Sequence, residues 1–329
     1  MQNWFAPLRE TLCPPRWARG GHSQTIFGHL WPSPNLDEIG ERWEIPLGDG
    51  DTIVAFAHRR NPKFVVCLFH GLGGSAEADY IRRTTHTCLG LGLSVVRVNH
   101  RGCGEGEGLS AGPYHSGRGE DVSAALSYAR SQFPDAFLLA IGFSLSGNAL
   151  LLSLAGVRGR PVPDAAIAVN APIDLADASM LMSRGLNRVY DFRFVRLCRE
   201  SVHSRVRAGR LASAPDLGVW STLREFDDLY TAPAGGFDDR EDYYRTCSAA
   251  PHIEKIETPT MLLTAGDDPF VRAEHYRKLR LPPQVSLHIE AHGGHMGYLS
   301  AFNTPLGTKR WMDYALKRWI AGLAGKPST

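Results

Sequence analysis

Short apolar runs rich in β-branched residues recur along the chain, and the stretches between them carry helical periodicity. This is the pattern of βαβ units laid into a mainly parallel sheet. Eight runs predict strands, at 41–47, 52–57, 64–69, 94–99, 137–142, 165–171, 260–265 and 285–290. The first two flank Gly48-Asp49-Gly50-Asp51, whose glycines suit the positive φ of a tight turn, so this pair is expected antiparallel and the other six strands parallel. Helices are expected near 76–91, 117–132, 145–155, 272–279 and 308–323. The rhythm breaks between Ala171 and Thr260, a gap too long for a crossover or a structureless loop. A helical subdomain inserted at 172–258 is expected there, within one domain spanning 1–329. The first forty residues, rich in Pro and Trp, carry no readable element.

The remaining bulk properties mainly exclude. No run approaches the roughly 18 apolar residues of a spanning helix. The N-terminal MQNWFAPLRETLCPPRW breaks any apolar leader with Arg9, Glu10 and prolines, so no export signal is expected and the protein reads as cytoplasmic. With 36 basic and 34 acidic residues the net charge is +2, which argues against a dedicated nucleic-acid binder. Six scattered cysteines without a CxxC pair give no sign of a disulfide framework or a zinc knuckle.

Chemistry concentrates where the strand FLLAIG runs through Gly142-Phe143-Ser144-Leu145-Ser146-Gly147 directly into an apolar helix. A strand that turns this sharply into a helix lifts the central serine above the sheet and aims the helix N-terminus at it, the arrangement of a nucleophile elbow. Small residues are needed two positions to either side, and Gly142 and Ser146 meet that need. The strict G-x-S-x-G pattern occurs only at Gly108-Leu109-Ser110-Ala111-Gly112, but Ser110 follows a Gly-rich polar stretch and Pro113 comes close behind, so a surface loop is expected there.

A serine nucleophile needs a histidine base and an orienting carboxylate, in the chain order serine, acid, histidine on this type of sheet. Gly266-Asp267-Asp268-Pro269 follows one predicted strand and Ala291-His292-Gly293-Gly294-His295 follows the next. Asp268, directly before proline, is favoured over Asp267, which would then cap the following helix. His295, beside glycines that allow the backbone to turn the ring inward, is favoured over His292. The HxxH spacing could hold zinc, yet no suitable third ligand stands nearby, and no metal is assigned. An oxyanion needs two fixed N–H donors: Leu145, next to the serine, and Leu72, in the loop His70-Gly71-Leu72-Gly73-Gly74, are the choices. That loop lacks a P-loop lysine and the dinucleotide glycine spacing, so phosphate binding is not indicated.

Together with HGLGGS, NHRGCG, YHSG, AGDDPF and HGGHMG in this order, and with the opening Gly21-His22-Ser23-Gln24-Thr25, the chain resembles the YheT-like family of α/β-hydrolases, relatives of the eukaryotic ABHD hydrolases and the yeast medium-chain ethyl ester synthases. The resemblance continues through Arg224-Glu225-Phe226-Asp227-Asp228 and Tyr243-Tyr244-Arg245-Thr246-Cys247-Ser248, and so covers most of the chain. It implies an α/β-hydrolase fold, a mostly parallel eight-stranded sheet with an inserted helical lid, and aligns Ser144, Asp268 and His295 with the family's serine, acid and histidine. It also implies esterase or acyltransferase activity on short- to medium-chain acyl esters, monoacylglycerols among them. Ser146 stands where the family commonly has glycine.

The expected reaction is therefore ester hydrolysis through an acyl-enzyme on Ser144, needing no cofactor. Acyl transfer to an alcohol is the alternative. A catalytically silent binding protein is disfavoured because all three reacting groups are present. In the insertion, Met180, Leu181, Met182, Leu186, Val189, Tyr190, Phe192, Phe194 and Val195 would line an acyl pocket or pack the lid itself. Arg184, Arg188, Arg193, Arg196, Arg199, Arg205, Arg207 and Arg210 make either a solvated helix face or one turned to anionic lipid or acyl-CoA, so membrane contact is allowed but not indicated. Asp227, Asp228, Asp238, Asp239 and Asp242 lack calcium-loop spacing and are expected as helix caps and surface ion pairs. Cys103 is expected to be a packing residue.

Overall fold

Successive residues of the central strands are apolar without alternation, because both faces of the sheet are covered. In β3 (Phe64–Phe69), Val65, Cys67 and Phe69 join one core cluster while Phe64, Val66 and Leu68 join another. β5 (Phe137–Phe143) and β6 (Ala165–Val169) divide in the same way. The first cluster takes in α3 (Gly119–Gln132) and α4 (Leu145–Leu154), and the second takes in α2 (Asp79–Gly90) and the last helix, α10 (Trp311–Leu323). The computed structural model describes residues 4–325.

With β1 (Glu41–Pro46), β2 (Thr52–His58), β4 (Ser94–Asn99), β7 (Thr260–Ala265) and β8 (Val285–Glu290), the sheet has eight strands in the order β1-β2-β4-β3-β5-β6-β7-β8. β1 pairs with β2, and β2 with β4, antiparallel, and β3 to β8 run parallel. At the β1–β2 turn Gly50 takes φ 87° while the Leu47 amide donates to Asp51 O at 2.8 Å. β6 ends two residues earlier than expected, since Asn170 turns to φ 47° and leaves the strand.

Two regions depart from the βα rhythm. The unassigned N-terminal stretch holds a helix, α1 (Gly21–Leu30). Between β6 and β7 lie α5 (Leu175–Met182), the 20-residue α6 (Arg188–Arg207), α7 (Leu223–Phe226), α8 (Ala232–Gly235) and α9 (Arg240–Cys247). Local polar chemistry starts three of these helices: Asp174 caps α5, Thr222 and Glu225 form a capping box on α7, and Asp239 caps α9. Buried Asp191 accepts from the Leu223 amide at 2.8 Å and from Arg188 at 2.5 Å, which ties α6 to α7. A π-helical turn, Asp227–Thr231, joins α7 to α8. Parallel strands place their carboxyl ends on one edge of the sheet, and the predicted site residues fall there.

Candidate active site

Ser144 sits between β5 and α4 with φ 52° and ψ −120°, a conformation that non-glycine residues enter at a cost of order 1–3 kcal/mol. Its surroundings hold it there. The Ser144 amide donates to Val169 O at 2.8 Å, and its carbonyl accepts from the Gly147 amide at 2.8 Å. A Cβ on Gly142 would stand 2.7 Å from Ser146 O and 2.9 Å from Gly147 Cα, so strand and helix can approach this closely only with glycine at 142. Gly147 is equally constrained, with Ala171 Cβ 2.8 Å from where its own would lie.

The favoured acid and histidine are the ones that meet the serine. His295 Nε2 lies 2.9 Å from Ser144 Oγ, and His295 Nδ1 lies 2.8 Å from Asp268 Oδ2. An ionised carboxylate only accepts, so the ring proton sits on Nδ1 and Nε2 is left to receive the serine proton. Asp268 also accepts from the amides of Phe270 at 2.8 Å and Val271 at 3.1 Å, and from Asn170 Nδ2 at 2.7 Å. Tyr298 OH donates to Asn170 Oδ1 at 2.9 Å and so fixes which way that amide points. Asp267 does not cap a helix: its Oδ1 accepts from the Gly294 amide at 2.8 Å, and His292 turns toward its Oδ2 at 3.4 Å. It therefore shapes the histidine loop from the side.

α1, in the stretch whose sequence carries no readable element, buttresses that loop. Thr25 Oγ1 accepts from the His295 amide at 2.8 Å, and fully buried Gln24 donates to Leu299 O at 3.0 Å while accepting from the Leu299 amide at 2.7 Å. Contact is close enough that a Cβ on Gly21 would overlap Asp267 O at 1.7 Å. Ser110, by contrast, is far from any such arrangement. It is fully buried, not on a surface loop, and its hydroxyl donates to Thr52 O at 2.7 Å.

Leu72 and Leu145 both border the same pocket as Ser144 and His295, and neither backbone amide donates to an acceptor within the described residues. Leu145 opens α4, so its N–H belongs to a helix N-terminus that favours nearby negative charge. The loop bearing Leu72 is fastened from beneath. The Tyr80 hydroxyl accepts from the Gly71 amide at 2.9 Å, and His70 Nδ1–H donates to Gly71 O at 2.8 Å because His70 Nε2 is occupied as acceptor for the His100 amide at 3.2 Å. Ser146, the residue that departs from the family's glycine, donates its hydroxyl to His70 O. It accepts from His100 Nε2 at 2.6 Å and lies 2.9 Å from Tyr114 OH. Burial holds the His70 imidazole down at about 4 and His100 well below its ordinary value, so both rings stay neutral in this cluster. Ser146 thus does not crowd the elbow. It links the elbow to the loop.

The pocket encloses about 790 Å³ of empty space open to solvent and is mainly apolar, with Leu175, Met182, Phe194, Leu223, Phe226 and Val271 on its walls. Of the insertion residues considered as pocket lining, only Met182 and Phe194 reach it, whereas Leu186, Val189 and Phe192 are exposed and Val195 is buried elsewhere. One wall is acidic. Asp227, expected among surface caps and ion pairs, is buried against Tyr244 OH at 2.7 Å, and burial pushes its carboxyl up to about 6. Asp228, with Arg240 at 2.5 Å, and Asp239 at its cap do match the expectation.

A sequence profile described as the alpha/beta hydrolase fold matches residues 65–302, from β3 to just past the histidine loop. The chain belongs to the α/β-hydrolase family. Within that family it is 34% identical to the Escherichia coli protein YheT, named as a candidate esterase, over 97% of this chain and 95% of that one. A Saccharomyces cerevisiae relative, named medium-chain fatty acid ethyl ester synthase/esterase 2, is 26% identical over 77% of this chain and 62% of its own length. The solved Pyrococcus furiosus esterase Pf2001 shares the fold with a TM-score of 0.57 at 17% identity, covering 95% of this chain and 100% of that one. By its kinship with YheT, this α/β-hydrolase stands among the family's carboxylic ester hydrolases.

Proposed function

We propose that the protein cleaves short- to medium-chain acyl esters, monoacylglycerols among them, through an acyl-enzyme formed on Ser144. The observation that carries this reading is the unbroken hydrogen-bond chain from Ser144 Oγ through the His295 ring to Asp268, opening into an apolar pocket. His295 Nε2 takes the serine proton as Oγ attacks the ester carbonyl, and Asp268, with its four donors, steadies the imidazolium that forms. The amides of Leu72 and Leu145 receive the oxyanion. His295 returns the proton to the leaving alcohol, then activates water to release the acid. An alcohol in place of water closes the same cycle as acyl transfer. The inserted segment 172–258 acts as a lid in this reading, since its helices supply most of the pocket wall above Ser144.

The test is hydrolysis of p-nitrophenyl esters of increasing chain length, with and without ethanol. The expected result is an optimum at short to medium chains and a loss of about 10⁴-fold or more in kcat/KM for Ser144→Ala and for His295→Ala. An unchanged rate in Ser144→Ala removes the reading. Ethyl ester accumulating with ethanol assigns the transfer branch.

A further inference from the structure

α6 has two apolar sides. One turns Phe194 and Cys198 into the pocket, and the other leaves Val189 and Phe192 exposed. On that outer side Val189, Phe192, Arg193 and Arg196 recur at three- and four-residue spacing, so they share one face. Val189 is 70% exposed, and Trp220, 77% exposed, brings its ring to 5.8 Å from Phe192. α1 lies alongside, joined by the stacked rings of His22 and Tyr190 at 5.8 Å and by Arg193 Nη2 at 3.2 Å from His29 Nε2. It adds exposed Phe27 and Leu30, with the Trp17 ring set edge-on to Phe27 at 5.1 Å. The two helices, joined at Arg193 and His29, therefore each expose rings and aliphatic groups, and exposed apolar groups gathered in this way mark interaction surfaces.

Its charge is one-sided. Residues 184–200 carry five arginines against Asp191 and Glu200. Asp191 is buried on Arg188, and Glu200 lies 3.5 Å from Arg196. Neither Arg184 nor Arg193 has a carboxylate within 4 Å among the described residues. Indole, phenyl and aliphatic groups beside arginines whose long stems can lie along apolar surface while their heads reach phosphate are the composition of an interfacial contact. No helix of the described residues is long and apolar enough to cross a bilayer, so such contact is peripheral.

We propose that the joined outer faces of α1 and α6 dock the protein on anionic lipid bilayers, with Phe192, Trp220 and Leu30 entering the headgroup layer and Arg184 and Arg193 meeting lipid phosphates. The surface lies on the outer side of the wall behind which Ser144 sits, and its use for drawing esters from a lipid layer rests on the hydrolase reading above. The docking itself does not.

The experiment is co-sedimentation of the full chain with phosphatidylcholine vesicles with and without phosphatidylserine, read together with tryptophan emission. Binding and a blue shift are expected on the anionic vesicles, weakening as salt rises. Phe192→Ser with Trp220→Ser, and separately Arg184→Glu with Arg193→Glu, should each weaken binding about tenfold or more while leaving turnover of a water-soluble p-nitrophenyl ester unchanged. Ser144→Ala should bind as the wild type does, so failure of docking and failure of the hydrolase reading are told apart. Equal affinity for neutral and anionic vesicles, no binding to either, or indifference to both double variants overturns the proposal. A dimer in solution that Trp220→Ser dissociates would assign the surface to a second copy and likewise overturn it.

Discussion

Ser146 carries its consequence in a single hydroxyl. Its donation to His70 O and its acceptance from His100 couple the first turn of α4 to the loop holding Leu72, the two places from which the proposed oxyanion donors come. Misplacing such a donor acts on the transition state more than on substrate binding. Ser146→Gly is therefore expected to lower kcat about tenfold with KM nearly unchanged. Steady-state kinetics with a p-nitrophenyl ester checks this, and a raised KM at constant kcat would mean that Ser146 shapes the pocket instead. Tyr114 OH, 3.1 Å from His70 O, keeps one donor on that carbonyl in the variant, which limits the loss.

The inserted segment shows at element scale why pattern and role come apart. Helical periodicity marks α5 and α6 but does not tell which side of either turns inward, so Met182 and Phe194 were legible as pocket lining only alongside residues that point to solvent. α1 was illegible for a different reason. Its contact face is made of Gly21, Gln24, Thr25 and Gly28, chosen for close approach and hydrogen bonding, and it offers no apolar stripe to read. The π turn hides Asp227 in the same way, since five acidic residues nearby look alike until burial separates one from the rest. With its folded value near 6 and its unfolded value near the ordinary carboxylate, Asp227 binds its proton more tightly when folded. Its contribution to stability is full below about pH 4 and is lost as pH rises through about 6, a change of roughly 2–3 kcal/mol. Denaturant unfolding across that window should show the difference between wild type and Asp227→Asn moving by about this amount. A difference that stays constant with pH would mean that the carboxyl titrates normally.

For the molecule as a whole, the strands were legible almost to the residue, because a sheet covered on both faces needs continuous apolar runs and little else in the chain supplies them. Ser144, Asp268 and His295 were legible because each follows such a strand on the edge where loops converge, and Pro269 and the glycines around His295 mark their loops. What supports them was not. Asn170, Thr25 and Tyr298 reach the site from distant positions, through contacts that only the folded chain creates. Whether Ser144 is the nucleophile of this arrangement is decided by reaction with a fluorophosphonate followed by mass mapping of the adduct. One phosphonyl group per chain is expected, on the peptide containing Ser144, absent in Ser144→Ala and much slower to form in His295→Ala. An adduct on another serine, or labelling of Ser144→Ala equal to the wild type, would contradict that role of Ser144.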